Sequence, residues 1–400
     1  LLRSRGCWRA QRDGAGTVKA KPGGRLHLLH LHSTFDAGGK ERRSTSLINR
    51  FGKAVDHSIV SAQPGAMEAR TQIDAGLPVY FPFGFPPLAG RFGVRRLQTL
   101  ARAMKGFDLI LTYNWGAMDA AMAHALFAPS MGLAPLIHHE DGFNADEAVK
   151  LKAARNWYRR VALARASALI VPSRQLERVA LEVWHQPPTR MQRIGNGIPV
   201  KAYGKKPRAD ALPRIVKRPG EKWLGTLAGL RPVKALPRLV RAFQGLPEEW
   251  QLVIVGEGPE RESIMAEAAR LEIGHRVHLP GHVAQPADAT GLFDLFALSS
   301  DSEQFPLSVV EAMAAGLAVA SPAVGDVADI VSPENAPFIV PTGDEAALAA
   351  ALLRLVQDEA LRRRIGAANQ VRARAEFDEA AMAARHAAIY AAALGRSSFP

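Results

Sequence analysis

The chain has 400 residues, 48% apolar and 22% charged, with a formal net charge of +13. That is the composition of an ordinary globular protein of two or three domains, and no apolar run reaches the ~18 residues a membrane-spanning helix needs. The single cysteine, Cys7, can form no internal disulfide, which fits a reducing, cytoplasmic setting.

Residues 1–25 hold seven Lys/Arg and one Asp, which is +6 of the total charge, and they lack the apolar core of a secretion signal. They read as a disordered basic tail; adhesion to an anionic membrane surface or to nucleic acid is the alternative. No zinc-ligand spacing or RNA-binding signature supports nucleic acid. From Leu26 the chain alternates. "LHLLHLH" reads as a strand, "ERRSTSLINRFG" as a helix, and "HSIVSA", "DLILTY", "APLIHH" and "SALIVPS" as further strands, with a long helix over "NADEAVKLKAARNWYRRVALARA". Nearly continuous apolar runs of this kind belong to strands buried on both faces of a parallel sheet. The basic, proline-containing stretch 201–222 reads as a linker. Then "WLGTLAGL", "QLVIVGEG", "RVHLPGHV" and "LFDLFALSS" alternate with the helical "ALPRLVRAFQGL" and "ERESIMAEAARLEI". Two doubly wound α/β halves are expected, meeting near residue 200, with ligand bound at the carboxyl ends of the strands in a cleft between two facing sheets.

The stretch "DSEQFPLSVVEAM", residues 301–313, places Glu303 in a loop and Glu311 inside a helix that Pro306 can open. The free N–H groups of Leu307 and Ser308 and the helix dipole favour a phosphate at that tip. Glu311 lies roughly 7.5 Å further along the axis. A ligand with hydroxyls at both ends and a diphosphate in the middle, as in a nucleotide-sugar, suits this layout. The plainer reading is that Glu303 only complements the helix dipole and Glu311 lies on the surface. No D-x-D, no Cys/His cluster with metal spacing and no Walker A motif occurs, so neither a metal nor a cofactor is implied. "GEGPER" at 256–261 resembles a dinucleotide turn but lacks the third glycine.

The segment "SSDSEQFPLSVVEAMAAGLAVASPAVGDVADIV" resembles the donor-site segment of family-4 glycosyltransferases. So do "GG" at Gly38–Gly39 with Glu41 and Arg42, "VPSRQLER", "RIGNGIPV", "LRPVKALPRLVRAF", "VIVGEGPERESI", "VHLPGHV" and "FIVPTGDEAALAAALLRLVQDEALRR", in that order. The resemblance implies an α/β GT-B fold of two facing Rossmann-like domains, 26–200 on the acceptor side and 223–380 on the nucleotide-sugar side. A helix over 381–400 is placed to pack back on the first. It implies a retaining bacterial enzyme of polysaccharide synthesis. The donor is a nucleoside diphosphate sugar and the acceptor a glycan or lipid-linked saccharide, at the inner face of the cell membrane.

By the same resemblance Glu303 holds hydroxyls of the donor sugar, Glu311 the ribose, and Lys234 the diphosphate. His138 reaches the sugar from the first domain, and Gly38 and Gly39 let the backbone approach the ligand. Gln304, Phe305, Pro306 and Leu307 complete the donor contacts. One departure stands out: the family carries an arginine five positions before the lysine, and position 229 is glycine. Arg231, on the same strand face two residues on, is the candidate replacement. A GT-B nucleotide-sugar epimerase and an inactive nucleotide-sugar-binding module are the alternatives.

Overall fold

The computed structural model describes residues 24–36, 38–143, 147, 150–205 and 207–400. The expected basic tail lies outside the described residues, apart from its last two positions. The chain divides into two compact units, Leu1–Ile194 with Ala383–Pro400, and Gly195–Met382.

The first unit is built on seven parallel strands: β1 (Leu26–His32), β2 (Val55–Ser61), β3 (Val79–Tyr80), β4 (Leu109–Tyr113), β5 (Leu136–His139), β6 (Ala168–Val171) and β7 (Met191–Arg193). Their order across the sheet is β3-β2-β1-β4-β5-β6-β7. Its helices are α1 (Gly39–Phe51), α2 (Val94–Ala103), α3 (Met118–Met131), α4 (Ala153–Ala162) and α5 (Arg174–Glu182). Every residue of β4, β5 and β6 is buried, as expected of central parallel strands, and that includes Thr112, His138 and His139. Helix α5 starts where Ser173 accepts a hydrogen bond from the Leu176 amide.

The second unit carries six strands in the order β10-β9-β8-β11-β12-β13. These are β8 (Lys222–Leu227), β9 (Trp250–Val255), β10 (Val277–Gly281), β11 (Leu295–Ala297), β12 (Val319–Pro322) and β13 (Ile339–Val340). They alternate with α6 (Leu236–Phe243), α7 (Arg261–Arg270), α8 (Ala287–Thr290), α9 (Leu307–Ala314) and α10 (Val327–Ile330). Then come α11 (Glu345–Gln357), α12 (Glu359–Glu376) and α13 (Glu379–Ala393). The alanine-rich tail is two helices because Asp358 caps α12, accepting from the Leu361 amide at 2.8 Å.

Each half is therefore the doubly wound α/β layer expected from sequence. Three stretches differ in detail. Residues 201–222 send Tyr203 and Leu212 into the core of the second unit, and Lys217 Nζ donates to Asp294 Oδ2 at 2.6 Å. The first positions of the long helix expected from Asn144 lie largely outside the described residues; α4 begins at Ala153, and Glu147 turns inward to take Arg155 and Arg159. The short strands β3, β7, β12 and β13 add to those expected.

Candidate functional site

In both sheets the strand order reverses once, between β1 and β4 and between β8 and β11. Loops leaving the carboxyl ends of such neighbours diverge and open a crevice.

In the second unit the loop after β8 carries Gly229, Arg231 and Lys234, and the loop after β11 carries Ser299, Ser300 and Glu303. The two are joined. Lys234 Nζ donates to Glu303 Oε1 at 2.6 Å, and Ser300 Oγ donates to the same oxygen at 2.7 Å. Ser299 Oγ donates to the Lys234 carbonyl at 2.8 Å, and the Asp301 amide to the Val233 carbonyl at 2.8 Å. The Lys234 and Glu303 side chains keep 24% and 13% of their surface exposed, so the pair is accessible to a ligand. Arg238 stands behind it, donating to the Ser299 carbonyl at 3.1 Å and to Asp301 at 2.6 Å.

The Lys234 loop is held from the other side by the turn after β9. The Leu230 amide donates to the Glu257 carbonyl at 2.9 Å, and the Glu260 amide to the Leu230 carbonyl at 3.0 Å. Gly256 and Gly258 have φ of +149° and +155°. A Cβ on them would lie 1.9 Å from the Ala228 oxygen and 2.5 Å from the Leu230 oxygen. Only glycine allows that approach. "GEGPER" is thus a brace for the Lys234 loop, a role its sequence did not disclose.

Position 229 is permissive by contrast. An ideal Cβ there would meet Arg231 Nε at 3.7 Å and the Glu257 carbonyl at 4.0 Å, and nothing closer. Arg231 is exposed, forms no ion pair among the described residues, and its guanidinium end lies beside the point where a side chain at 229 would begin.

Helix α9 begins at Leu307 with Pro306 as its cap, one position later than Pro306 as first helical residue, and no side chain caps its amides. Phe305 fixes the preceding loop edge-on against Phe377, with ring centres 5.7 Å apart. The Gln304 carbonyl accepts from the Asp326 amide at 3.0 Å. Gly325, at φ +53°, comes so close that a Cβ would sit 2.6 Å from the Glu303 and Gln304 carbonyls. Glu311 is 2% exposed, which rules out the plainer reading of it as a surface residue. It is an engaged, buried acid on the second turn of α9.

In the first unit Gly38 caps α1 and Gly39 opens it. A Cβ on Gly38 would strike Glu41 Oε2 at 2.6 Å. Burial raises the pKa of Glu41, and its pairing with Lys40 opposes the shift. Lys40 Nζ also donates to the Thr34 carbonyl at 2.9 Å. The β4 loop comes close here, for a Cβ on Gly116 would lie 2.5 Å from Ser33 Cβ.

His138 does not present a free ring at the end of β5. It is fully buried, with Nδ1 2.8 Å from Thr112 Oγ1 and Nε2 3.6 Å from Glu140 Oε2. Glu140 continues to Arg159 at 3.6 Å, and Arg159 forks onto Glu147 at 3.1 and 2.9 Å. His139 is equally buried, against Tyr390 at 3.2 Å. Beyond this strand Asp141 pairs with Arg43, and its amide donates to Asn114, the residue that follows β4, at 2.7 Å. Sequence reasoning missed Ser300, Gly258, Gly325 and the Arg43–Asp141 pair. The positive φ of the two glycines is the kind of signal their residue type carries.

Two family models match the chain, one described as Glycosyltransferase Family 4 over residues 37–202 and one as Glycosyl transferases group 1 over 208–372. Among curated relatives, N-acetyl-alpha-D-glucosaminyl L-malate synthase of Bacillus anthracis is 28% identical over 45% of this chain and 48% of its own. D-inositol 3-phosphate glycosyltransferase of Thermobispora bispora is 31% identical over 55% of this chain and 54% of its own. The chain thus spans about half the length of these relatives. Among solved structures, HepE of Anabaena in complex with UDP superposes with a TM-score of 0.74 at 19% identity, over 92% of this chain and all of that one. Sucrose-phosphate synthase of Thermosynechococcus elongatus does so with a TM-score of 0.70 at 23% identity, over 92% of this chain and 99% of that one.

Proposed function

The chain belongs to the family-4 type glycosyltransferases of GT-B fold, and on that premise we propose that it moves a sugar from a nucleoside diphosphate sugar to a hydroxyl acceptor with retention of anomeric configuration. The observation that carries the reading is the ammonium–carboxylate pair, Lys234 with Glu303, at the carboxyl ends of β8 and β11.

Lys234 offsets the charge that grows on the leaving diphosphate as the glycosidic bond breaks. The uncapped amides at Leu307 and Ser308 support the same phosphates. Glu303 has one oxygen committed to Lys234 and Ser300, and its other oxygen accepts a sugar hydroxyl. Glu311 accepts from the ribose, and Arg231 supplies the guanidinium that position 229 lacks. Gly38 and Gly39 bring the α1 backbone to the diphosphate. The acceptor oxygen attacks the anomeric carbon on the face the diphosphate leaves, and a phosphate oxygen of the leaving group takes the acceptor proton. No enzyme carboxylate forms a bond to the sugar, and the charge work requires no divalent metal. The acceptor on this reading is a glycan or lipid-linked saccharide. His138 is held inside the first unit by Thr112 and Glu140, and on this reading its part is to set the end of β5 rather than to move a proton.

HepE has been seen with UDP-glucose, and a GDP-mannose-dependent alpha-mannosyltransferase of Mycolicibacterium smegmatis is 30% identical over 55% of this chain. UDP- and GDP-sugars therefore lead a thermal-shift screen that also includes ADP-sugars. One class should raise the melting temperature, since a ligand at 100 times its Kd adds about 2.7 kcal/mol to the folded state. Product formed with that donor, with chelator present, should keep the donor's anomeric configuration. No shift with any sugar nucleotide would sink the reading. Conversion of donor without acceptor would indicate an epimerase, and binding without turnover an inactive module.

A further inference from the structure

The connection from β3 to α2 carries a surface that none of the residues assigned above to the donor occupies. Between Asp74 and Asp108 the sequence holds no carboxylate, while Arg91, Arg95, Arg96, Arg102 and Lys105 are all cationic. Arg96 is spent on structure: it donates to Asp119 at 2.7 Å and to the carbonyls of Pro87 and Leu88 at 3.0 and 2.7 Å. The other four are exposed and form no ion pair among the described residues.

Among these charges stand apolar side chains that water touches. Tyr80, Phe81, Phe92 and Val94 are exposed, and Phe83 is exposed completely. The loop carrying them is anchored, because Leu88 is buried in the core of the first unit and Phe85 packs against it. Phe92 meets Tyr158 of α4 edge-on, with ring centres 6.4 Å apart, and the next residue back on that helix, Trp157, is 66% exposed.

A concentration of exposed apolar groups on a folded unit marks an interaction surface. The chemistry of this one selects the partner. Aromatic rings interleaved with arginines, in a segment without an acid and with the neighbouring Asp119 taken up by Arg96 and Tyr158, match the headgroup level of an anionic bilayer, where rings sit at the boundary and guanidinium groups meet phosphates. A side chain as isolated as Phe83 needs no complementary pocket if its partner is fluid. We propose that residues 80–94, with Trp157 beside them, dock the first unit onto an anionic lipid surface. This stands apart from the donor chemistry, and its failure would leave that chemistry untouched.

The full-length protein is floated with phosphatidylcholine vesicles, with and without one-third phosphatidylglycerol. Binding should require the anionic lipid, weaken as salt is raised, and quench Trp157 when the acyl chains are brominated, with Trp157→Phe as the control. Phe83→Ser and Phe92→Ser should each lower partitioning about tenfold. Arg91→Gln and Arg95→Gln should each lower it roughly fivefold. Circular dichroism checks that each variant is folded. A full-length variant with Arg3, Arg5, Arg9 and Arg12 changed to Gln separates any contribution of the amino-terminal charge. Absence of flotation, flotation unchanged in the loop variants, or flotation lost only in the amino-terminal variant overturns the proposal. So does a loop effect confined to the KM of a water-soluble acceptor, which would make the surface a sugar-stacking one.

Discussion

At position 229 the space for a side chain is open, and the nearest heavy atom to an ideal Cβ belongs to Arg231. On the reading proposed above, the charge the family places on 229 comes in this chain from Arg231, whose Nε lies 3.7 Å from an ideal Cβ at 229. Arg231→Ala should therefore raise the donor KM about tenfold, the scale of one hydrogen bond to a charged group. Gly229→Arg added to that variant should recover most of the loss, because the new side chain starts beside the vacated volume. Steady-state donor titrations of the single and double variants decide the matter. An unchanged KM in Arg231→Ala, or no recovery in the double variant, would show that the guanidinium has no counterpart here. The carboxylate at 303 was legible in the sequence because its neighbours form a long specific segment. The burial of Glu311 and His138 was not, since enclosure is a property of what packs around a residue and leaves no mark on the residue itself.

Elements matter here chiefly through the two glycines that let the turn after β9 grip the loop after β8. Gly258→Ala would force a Cβ to 2.5 Å from the Leu230 oxygen at a φ of +155°. Strain of that kind costs about 1–3 kcal/mol. The expected result is a melting transition lowered by a few degrees together with a raised donor KM, since the distorted loop carries Lys234. Gly274→Ala is the control: nothing lies within 4 Å of its Cβ, and its effect should stay within about 0.5 kcal/mol. Equal melting temperatures for the two variants would refute the bracing role. Long elements such as β1, β8, β9 and α7 announced themselves by continuous apolar runs or helical periodicity. The strands β3 and β13, of two residues each, are too short to carry a period, and they form only because a neighbouring strand offers an edge. The start of α4 at Ala153 has a tertiary setting too, since Glu147 ahead of it turns inward to a buried arginine.

For the molecule as a whole, the first unit's core contains an uncommon amount of imidazole. His32 and His139 both stack on the ring of Tyr113, with ring centres 3.9 and 4.6 Å away, and His30 bonds His57 at 2.9 Å. Burial pushes His30, His32 and His139 well below 6.5 and takes His57 to about 3. These rings are neutral in the fold, while the unfolded chain takes up protons near pH 6.5. Stability from them is thus complete above that pH and declines as pH falls toward the folded values. Each group contributes about 1.4 kcal/mol per pH unit within that window. Burial also raises Tyr113 and Tyr390, which removes stability above about pH 10 by the mirror argument. Urea unfolding of the first unit, followed at pH 8, 6.5, 6 and 5.5, should show a steep fall only below 6.5. His32→Phe should lower the slope by one proton. A flat profile across that range would mean the imidazoles are not enclosed as described.

Helix α13 belongs to the second unit up to Met382 and to the first from Ala383. Tyr390 and Ala391 are buried there, and Phe399 packs on Phe51 with ring centres 4.9 Å apart. A ribosome therefore releases every residue of the second unit, 195–382, before the first unit has received the last piece of its own interior. The unit begun before the other is completed after it. While it waits, a nascent chain carries an imidazole-lined hollow that only residues beyond 382 can fill.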